Sequence, residues 1–290
     1  MSDICDNRRF RWLVGYPKSG TTWVRMFLNA VCSGFPLDIN SPFQYAASDM
    51  TPCLYHTLSA APMARLDRVW FAYYRPAALA NALLMSHTRD LVLRTHWPKV
   101  RINGTAMHPP ELSRCAVVVV RDPRDVAVSL AAYLDKTVDE VMEMMGNDNQ
   151  ALERDHDGLY HFLSSWSTHV DSWTTANEDI PCDVVRYEDL LVEPRTAFRK
   201  IADLIGPRNV SAERLEWAME QARFTRLQDQ EQARGFRERK QATPFFRRGE
   251  AGVWREVLSS EQAAAVEERH GEVMERVGYN LEHVNTGGKC

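Results

Sequence analysis

The amino-acid sequence predicts an α/β fold: a single domain with a central parallel β-sheet flanked by helices. Short apolar runs alternate with helical patterns along the chain, which is typical of parallel strands joined by crossover helices. The run Ala116–Val120, an alanine followed by four valines, is typical of a strand buried on both faces. The chain has 290 residues and no internal repeat or linker, so one large core is expected.

The predicted elements follow from these patterns. Residues 34–75 form a long functional loop or lid in this prediction. The polar residues 226–250 receive no element. The predicted strands are Phe10–Gly15, Leu91–Thr95, Ala116–Val120 and Asp183–Arg186. The predicted helices are Thr21–Cys32, Asp122–Leu134, Val138–Met145, Leu159–Thr175, Glu193–Ile205, Ala212–Gln221 and Glu261–Val277.

Composition excludes some classes of protein. Lys and Arg number 35 against 39 Asp and Glu, a formal net charge of −4, which disfavours general nucleic-acid binding. The 8 Trp, 11 Phe and 9 Tyr residues are spread along the whole chain, so a disordered chain is not expected. The six cysteines show no metal-binding or disulfide spacing, which indicates free thiols and no metal site. The polar segment Met1–Arg11 and the lack of an apolar run of roughly 18 residues predict a cytoplasmic protein without a membrane span.

The segment Gly15-Tyr-Pro-Lys-Ser-Gly-Thr-Thr22 lies between the first predicted strand and helix. Backbone N–H groups of such a loop converge on an anion. In the triphosphatase pattern GxxxxGK[ST] a lysine would stand at Thr21, but the lysine here is Lys18, inside the loop. After the strand Ala116–Val120 comes Arg121, so no acidic residue stands there to hold magnesium. The loop is therefore expected to hold a phosphate-like group without being suited to metal-assisted ATP hydrolysis.

A second phosphate site is predicted from Arg121-Asp-Pro-Arg-Asp-Val-Ala-Val-Ser129. Arg121 follows the strand at its carboxyl end, where α/β sheets bind ligands. Ser129 comes eight residues later, about two helical turns further on. The two side chains can hold a phosphate from two sides. Taken alone, they fit equally well a surface ion pair and an uninvolved helix residue.

Together these segments resemble the sulfotransferase family that uses 3′-phosphoadenosine 5′-phosphosulfate (PAPS). Tyr16–Trp23 is similar to its 5′-phosphosulfate loop and Arg121–Ser129 to its 3′-phosphate motif. Arg247-Arg248-Gly249 with Gly252-Val253-Trp254 is similar to its third signature, and Tyr187-Glu188-Asp189-Leu190 to its tyrosine motif. The resemblance implies a P-loop-like nucleotide-binding sulfotransferase fold. It also implies PAPS as co-substrate, no required metal, and transfer of a sulfonate to a hydroxyl or amine with 3′-phosphoadenosine 5′-phosphate (PAP) as product.

The resemblance extends from about residue 12 to 255 and implies one sulfotransferase domain over residues 1–290. Its PAPS-binding core would comprise about 10–33, 91–135 and 182–255. The acceptor-side loops would be about 34–75 and 135–160.

Roles at the co-substrate site are likewise implied by the resemblance. Lys18 would bridge the 5′-phosphate and the sulfonate, where an ammonium stabilises charge on the leaving group. The other implied binding residues are Ser19, Gly20, Thr21 and Thr22 as loop donors, Trp23 and Phe224 around adenine, Tyr187 at the adenine edge, and Arg121, Ser129, Arg247, Arg248 and Gly249 at the 3′-phosphate.

The catalytic base of the family lies in a Lys-Thr-His-Leu-Pro motif, which is similar to Arg94-Thr95-His96-Trp97-Pro98 here. His96 would accept the acceptor's proton, a task suited to a group that titrates near neutrality. Arg94 replaces the family's lysine and would give electrostatic help rather than donate a proton. Trp97 replaces the leucine and is expected to line the acceptor pocket.

Aromatic residues of the acceptor-side loops favour a small apolar or aromatic acceptor over a highly anionic polysaccharide; they are Phe43, Tyr45, Tyr55, Trp70, Phe71, Tyr73 and Tyr74. The family's C-terminal dimerisation motif is not evident after Trp254, so a homodimer stays an open alternative. Two other functions compete with sulfonate transfer: a nucleotide kinase or triphosphatase with a degenerate loop, and a non-catalytic nucleotide-binding module. The altered loop argues against the first, and His96 beside both phosphate motifs argues against the second.

Overall fold

A computed structural model describes residues 8–41, 45–51, 53–56, 68–86, 88–152, 161–175, 179–239 and 243–283. Its main sheet has five parallel strands in the order β2-β3-β1-β6-β9, and two antiparallel strand pairs lie outside it. The strands are β1 Arg9–Val14, β2 Ala47–Ser48, β3 Asp90–Thr95, β4 Arg101–Ile102, β5 Thr105–Ala106, β6 Ser113–Val120, β7 Ala151–Leu152, β8 His161–Phe162 and β9 Cys182–Arg186.

Twelve helices are present in the described part of the chain. They are α1 Thr21–Ser33, α2 Cys53–His56, α3 Arg68–Met85, α4 Pro123–Leu134, α5 Val138–Met145, α6 Trp166–Thr174, α7 Tyr187–Val192, α8 Pro194–Ile205, α9 Ala212–Gln221, α10 Phe224–Arg234, α11 Trp254–Val257 and α12 Ser260–Arg276. No helix within these described residues is both long enough and apolar enough to cross a membrane.

The central strands are buried on both faces because alternate side chains enter two different hydrophobic clusters. In β6, Val117 and Val119 pack with α1 and α8, whereas Val118 and Val120 pack with α4 and α6 on the opposite face. Leu13 of β1 enters the first cluster, and its neighbours on either side enter the second. The fold is therefore the predicted α/β arrangement, with helices on both faces of a parallel sheet.

The strand order determines where loops meet. β1 lies between β3 and β6, with Val14 beside both Thr95 and Val118. Because all three strands are parallel, the segments that follow them leave the same edge of the sheet. The loop after β1, the residues after β3 and those after β6 are thus brought together, although they are far apart in sequence.

One predicted helix boundary needs correction. The helix predicted over Leu159–Thr175 begins only at Trp166, because the Ser165 side chain accepts a hydrogen bond from the Thr168 N–H and caps the helix there. Strand β8 precedes this helix, and Leu159 lies outside the described residues. The buried face of α6 belongs to the core, as expected for its tryptophans.

The two segments without predicted elements contain regular structure. Residues 34–75 include β2, α2 and the beginning of α3, whose internal Pro76 obscures the helical pattern in the sequence. Residues 226–250 include most of α10, which buries only Leu227 and Glu231 among its otherwise polar residues. A helix with so narrow an apolar face gives little periodic signal.

The cysteines that the structure describes are free, as the sequence indicated. Cys32, Cys115 and Cys182 are free thiols. Cys5, Cys290 and the side chain of Cys53 lie outside the described residues. Among the residues that are described, no group of three or more His, Cys, Asp or Glu is arranged to hold a metal ion.

Substitution of Leu13 by Ala should destabilise the protein, because the side chain is fully buried between β1 and the helices. Loss of this packing should lower the free energy of unfolding by about 2–5 kcal/mol, measured by urea denaturation. Leu84→Ala is the matched control, since Leu84 is 63% exposed and its truncation should change stability by less than about 0.5 kcal/mol. Equal effects of the two substitutions would contradict this packing.

Candidate active site

The loop between β1 and α1 is shaped by two residues with left-handed backbone conformations. Lys18 has φ 71°, and Gly20, which immediately precedes α1, has φ 96°. A Cβ atom at Gly20 would lie 2.6 Å from the ring of Tyr187, so both the conformation and the space require glycine. Within the described chain, no side chain caps α1, and its first turn holds no acidic residue. Its N-terminal N–H groups are thus available to an anion.

Lys18 lies in an unusual environment for an ammonium group. Its Nζ is 4.4 Å from the centre of the Tyr133 ring and 4.0 Å from that of Phe245. Burial, together with the nearby positive charges of Arg121 and Arg247, lowers the pKa of Lys18 to about 7. A negatively charged ligand beside Nζ would oppose each of these effects and favour the protonated form.

Arg121 joins three of the sequence motifs. Its Nη1 donates to the carbonyl of Lys18 at 3.3 Å and its Nη2 to the carbonyl of Glu250 at 3.0 Å. The guanidinium lies 4.4 Å from the centre of the Tyr187 ring. Its Nε is buried without a hydrogen-bond partner among the described residues. The side chain is therefore held in place, and its Nε–H is available to donate a hydrogen bond to a ligand.

Asp125 is a site residue that the sequence analysis missed. Its buried carboxylate accepts hydrogen bonds from the Gly252 N–H at 2.7 Å and the Trp254 N–H at 2.9 Å. It also lies 3.8 Å from Arg121, one helical turn away. Asp125 therefore attaches the Gly-x-Trp segment to α4. The i,i+4 spacing of Arg121 and Asp125 was the only signal in the sequence that could have indicated this role.

Helix α10 holds the segment that contains Arg247, Arg248 and Gly249. Glu231 accepts hydrogen bonds from the N–H groups of Phe245 at 2.7 Å and Phe246 at 2.8 Å. Gln228 donates to the carbonyls of Phe246 at 3.1 Å and Arg247 at 2.7 Å. The polar residues of this helix, which the sequence left without a role, thus satisfy the backbone beside the third motif.

The residues expected around adenine lie close together. Trp23 contacts Phe224 with a centroid distance of 6.2 Å and ring planes 84° apart, so the two rings do not form a parallel slot. The Trp23 Nε1 donates to the carbonyl of Ala222 at 2.7 Å, which fixes this ring. A Cβ atom at Gly249 would lie 2.5 Å from the Phe224 ring, so the third motif packs directly on this aromatic residue.

His96 follows β3 and contacts the beginning of the phosphate loop. Its Nδ1 forms a hydrogen bond with the carbonyl of Gly15. Because a carbonyl only accepts, Nδ1 carries the proton and Nε2 of the neutral ring is left as a base. Burial and the charge of Arg94 lower the pKa of His96 well below its usual value, although the bond to Gly15 opposes them. These effects favour the neutral imidazole, which is the form that can accept a proton.

A single cavity of about 830 Å³ collects the predicted residues. Every predicted site residue except Ser19 lines it: Lys18, Gly20, Thr21, Thr22, Trp23, Arg94, His96, Arg121, Ser129, Tyr187, Phe224, Arg247, Arg248 and Gly249. Ser19 is fully buried, and its Oγ has no hydrogen-bond partner within the described chain. Its N–H donates to the carbonyl of Tyr16 at 3.1 Å. Ser19 therefore stabilises the turn of the loop from its buried side.

Those aromatic residues predicted for the acceptor pocket whose side chains the structure describes lie elsewhere. Tyr55 is buried with its hydroxyl on the carbonyl of Asp49, and Tyr73 is 51% exposed. Tyr45, Tyr74 and Trp97 also do not line the cavity. Phe43 and the side chains of Trp70 and Phe71 lie outside the described residues. The apolar residues that line the cavity include Ile39, Met50, Leu152 and Phe236 instead.

The parallel sheet and the cationic loop at its carboxyl edge define the class of P-loop-like nucleotide-binding proteins. Comparison with protein families identifies the member of that class: the sulfotransferase domain family matches residues 10–278, and the chain belongs to this family. The reaction class follows from the family. The protein is a PAPS-dependent sulfotransferase, and kinase or triphosphatase activity is not favoured.

Individual relatives are distant in sequence. The chain is 24% identical to cytosolic sulfotransferase 16 of Arabidopsis thaliana over 268 residues, covering 87% of this chain and 72% of the relative. It is 23% identical to sulfotransferase 1C2 of Oryctolagus cuniculus over 275 residues, covering 92% and 83%.

Solved structures show the same fold. Mouse sulfotransferase SULT7A1 complexed with PAP aligns with a TM-score of 0.60 at 18% identity, covering 93% of this chain and 84% of that one. Retinol dehydratase in complex with androsterone and inactive cofactor PAP aligns with a TM-score of 0.58 at 21% identity, covering 96% and 83%.

Gly20→Ala should abolish measurable PAP binding, because the added Cβ would clash with Tyr187 and displace the loop. Gly104→Ala is the matched control: its φ is also positive, at 79°, but no atom lies within 4 Å of the added Cβ. The control should lose only about 1–2 kcal/mol of stability from backbone strain and keep its PAP affinity. Isothermal titration calorimetry measures the PAP affinity of both variants. An unchanged PAP affinity in Gly20→Ala would contradict the role assigned to this loop.

Proposed function

We propose that the protein transfers the sulfonate of PAPS to a hydroxyl or amine of a small-molecule acceptor, with His96 as general base and Lys18 beside the leaving phosphate. The observation that carries this proposal is that His96, Lys18 and Arg121 line one cavity. The reaction requires three groups of the protein. They are a base for the acceptor, a cation beside the leaving phosphate, and a residue that binds the 3′-phosphate. PAPS supplies the sulfonate already attached to a leaving phosphate.

The residues fit a bisphosphorylated nucleotide. The uncapped N-terminus of α1 and Lys18 would hold the 5′ group, together with Thr21 and Thr22. Arg121 has a buried Nε with no partner among the described residues, which suits a second anion. The 3′-phosphate would be held by Arg121 and Ser129, with Arg247, Arg248 and Gly249 closing over it.

In the transfer, Nε2 of His96 would take the proton from the acceptor's hydroxyl or amine while the acceptor atom attacks sulfur. The bond between sulfur and the phosphate oxygen breaks, and the negative charge that develops on this oxygen would be stabilised by Lys18. Arg94, two residues before His96, would contribute positive charge without giving up a proton. His96 would remain oriented by the Gly15 carbonyl throughout.

The acceptor is proposed to be a small molecule with an apolar or aromatic part. Ile39, Met50, Leu152 and Phe236 provide apolar surface in the cavity that His96 also lines. Retinol dehydratase, a protein of the same fold, has been solved in complex with androsterone and with retinol, two largely apolar small molecules, which supports this proposal. The cytoplasm is the proposed location, and a homodimer remains an alternative to a monomer.

Replacement of His96 by Ala should lower kcat by about two to four orders of magnitude, since a general base contributes that much. The Kd for PAP should change little. PAPS turnover is followed by PAP release with a panel of phenols, alcohols and amines. His283→Ala, at an exposed histidine that does not line the cavity, is the matched control and should keep wild-type turnover. Wild-type turnover in His96→Ala would remove His96 from the mechanism.

The affinity for PAP should fall as the pH rises above about 7, because the pKa of Lys18 in the free protein is about 7. Below this pH the side chain is charged and binds the anion. Above it, binding must restore the lost proton, so Kd should rise by up to about tenfold per pH unit until the pKa of the complex is reached. The phosphates of PAP are fully ionised there and do not mask the effect.

Calorimetric titration at several pH values between about 7 and 9 measures this dependence. Lys18→Arg is the control, since a guanidinium keeps its charge and should give a flat profile over the same range. An identical decline in the variant would show that another group causes it.

A further inference from the structure

A buried network of side chains packs behind the segment that carries His96, and the proposed reaction gives it no role. At its centre is Arg75 of α3, whose side chain is fully buried and does not line the cavity. A guanidinium has five N–H donors, and here it has five acceptors. Nε donates to the carbonyl of Met107 at 2.9 Å, Nη1 to the Tyr55 hydroxyl at 3.3 Å and the Met50 sulfur at 4.0 Å, and Nη2 to Asp49 at 2.6 Å and His108 at 3.1 Å. Arg75 therefore joins the segment after β2 to the segment after β5.

One arm of the network reaches the backbone two residues before His96. The Asp49 carboxylate is 1% exposed and forms an ion pair with Arg75. The N–H of Asp49 donates to the carbonyl of Arg94 at 2.9 Å, and the Tyr55 hydroxyl donates to the carbonyl of Asp49, also at 2.9 Å. Arg75 thus fixes the position of Asp49, and Asp49 in turn fixes the end of β3.

The other arm reaches the residues on either side of His96. Burial and the charge of Arg75 hold the pKa of His108 well below its usual value, so this imidazole is neutral. Because a guanidinium only donates, Nε2 of His108 accepts from Arg75, and the proton of the ring lies on Nδ1. The Thr95 hydroxyl, 3.3 Å from the same Nε2, must then donate to it. This leaves the Thr95 oxygen to accept from the Trp97 N–H at 3.1 Å.

The backbone around His96 is thus held on both sides. The carbonyl of Trp97 also accepts a hydrogen bond, from Nε1 of Trp173 at 2.9 Å. His96 lines the cavity, whereas Thr95 and Trp97 do not. The described bond of the His96 ring joins Nδ1 to the Gly15 carbonyl. The direction in which Nε2 points therefore depends on the backbone that carries the ring.

A stabilising role alone does not require such an arrangement. A buried ion pair often stabilises a fold no more than apolar residues of similar volume would. A general base, in contrast, must lie within hydrogen-bond reach of the proton that it removes. Displacement of a reacting group by about 1 Å can lower a rate about a hundredfold. A network in which one guanidinium satisfies all its donors and which ends beside the base is suited to fix that base.

We infer that Arg75 is a positioning residue for the reaction: through Asp49 and His108 it holds the backbone on both sides of His96, so that Nε2 of the imidazole points at the acceptor. Arg75 itself touches neither the acceptor nor PAPS. The inference rests on the proposed function, in which His96 is the general base, and adds the residues that orient this base. Loss of the network should change the orientation of the imidazole and leave the binding of PAP nearly unchanged.

Arg75→Lys tests the inference, because it keeps a positive charge beside Asp49 but places all its donors on one nitrogen. The ring nitrogens of isotope-labelled histidine are followed by NMR, and the His96 signals are assigned by their loss in His96→Ala. In the wild-type protein we expect the chemical shifts of a protonated Nδ1 and an unprotonated Nε2. In Arg75→Lys the ring should leave the Gly15 carbonyl, and the shifts should become those of a mixture of both tautomers. Wild-type shifts in Arg75→Lys would overturn the inference.

Arg11→Lys is the matched control. Arg11 is also a largely buried, ion-paired arginine: its side chain is 11% exposed and lies 2.8 Å from Asp90, at the amino end of β3. The control should keep the wild-type signals of His96 and the wild-type turnover. The same change of the His96 signals in Arg11→Lys and Arg75→Lys would show a general loosening of the fold and would overturn the inference.

A double-mutant cycle separates positioning of the base from a general effect on the enzyme. Turnover is measured with PAPS and 2-naphthol, and the NMR comparison decides if 2-naphthol is not an acceptor. Arg75→Lys should lower kcat about ten- to a hundredfold when His96 is present, with little change in the Kd for PAP. In His96→Ala the same substitution should have little further effect, because the base that it positions is gone. An equal loss of kcat in both backgrounds would overturn the inference.

His108→Leu decides the matter if Arg75→Lys does not fold, since it removes the acceptor between Arg75 and Thr95 and leaves the ion pair with Asp49. It should give the same mixture of His96 tautomers. His108→Gln, which keeps an acceptor, should restore the wild-type signals. A wild-type spectrum in His108→Leu would overturn the inference.

The turnover of His96→Ala separates the two levels of the account. Wild-type kcat in His96→Ala contradicts the proposed function, and the inference falls with it. Loss of turnover in His96→Ala, together with wild-type His96 signals in Arg75→Lys, contradicts the positioning role alone.

Discussion

The Arg121 side chain is the interaction on which the rest of the site depends. It leaves the carboxyl end of the central strand β6 and bonds the carbonyls of Lys18 and Glu250, while its face lies on the Tyr187 ring. A planar guanidinium has five N–H donors spread over three nitrogens, so it can reach two carbonyls on different segments and still offer a donor to a ligand, whereas the donors of a lysine all stand on one nitrogen. Segments more than a hundred residues apart thereby form one cavity.

This arrangement concentrates positive charge within an acidic chain. Burial lowers the pKa of Lys18, and the charges of Arg121 and Arg247 lower it further. A bound phosphate would relieve this repulsion, so the site favours anions by its construction. The formal net charge of −4 excludes a broad basic surface but gives no information about such a local cluster. The net charge of the chain therefore indicates whether nucleic acid is a plausible partner, but not whether a nucleotide is.

The sequence predicted the features that local pattern determines. The central strand over Ala116–Val120 and the loop around Lys18 depend on residues adjacent in sequence, and the structure has both where expected. Asp125, Glu231 and the Arg75–Asp49 pair could not be predicted, because each matters through a partner brought near only by folding. The described aromatic residues of the acceptor-side loops were wrongly predicted to line the pocket for the same reason. Aromatic composition alone does not distinguish a pocket wall from a protein core.

The central claim is that the cavity is constructed for two separate phosphate groups on one nucleoside rather than for a metal-bound triphosphate. Thermal unfolding of the protein with saturating PAP, and separately with ATP and magnesium, tests it most directly. Because a ligand stabilises the folded state according to its affinity, PAP should raise Tm by several degrees and ATP with magnesium should have little effect. A rise in Tm with ATP and magnesium, and none with PAP, would contradict the account.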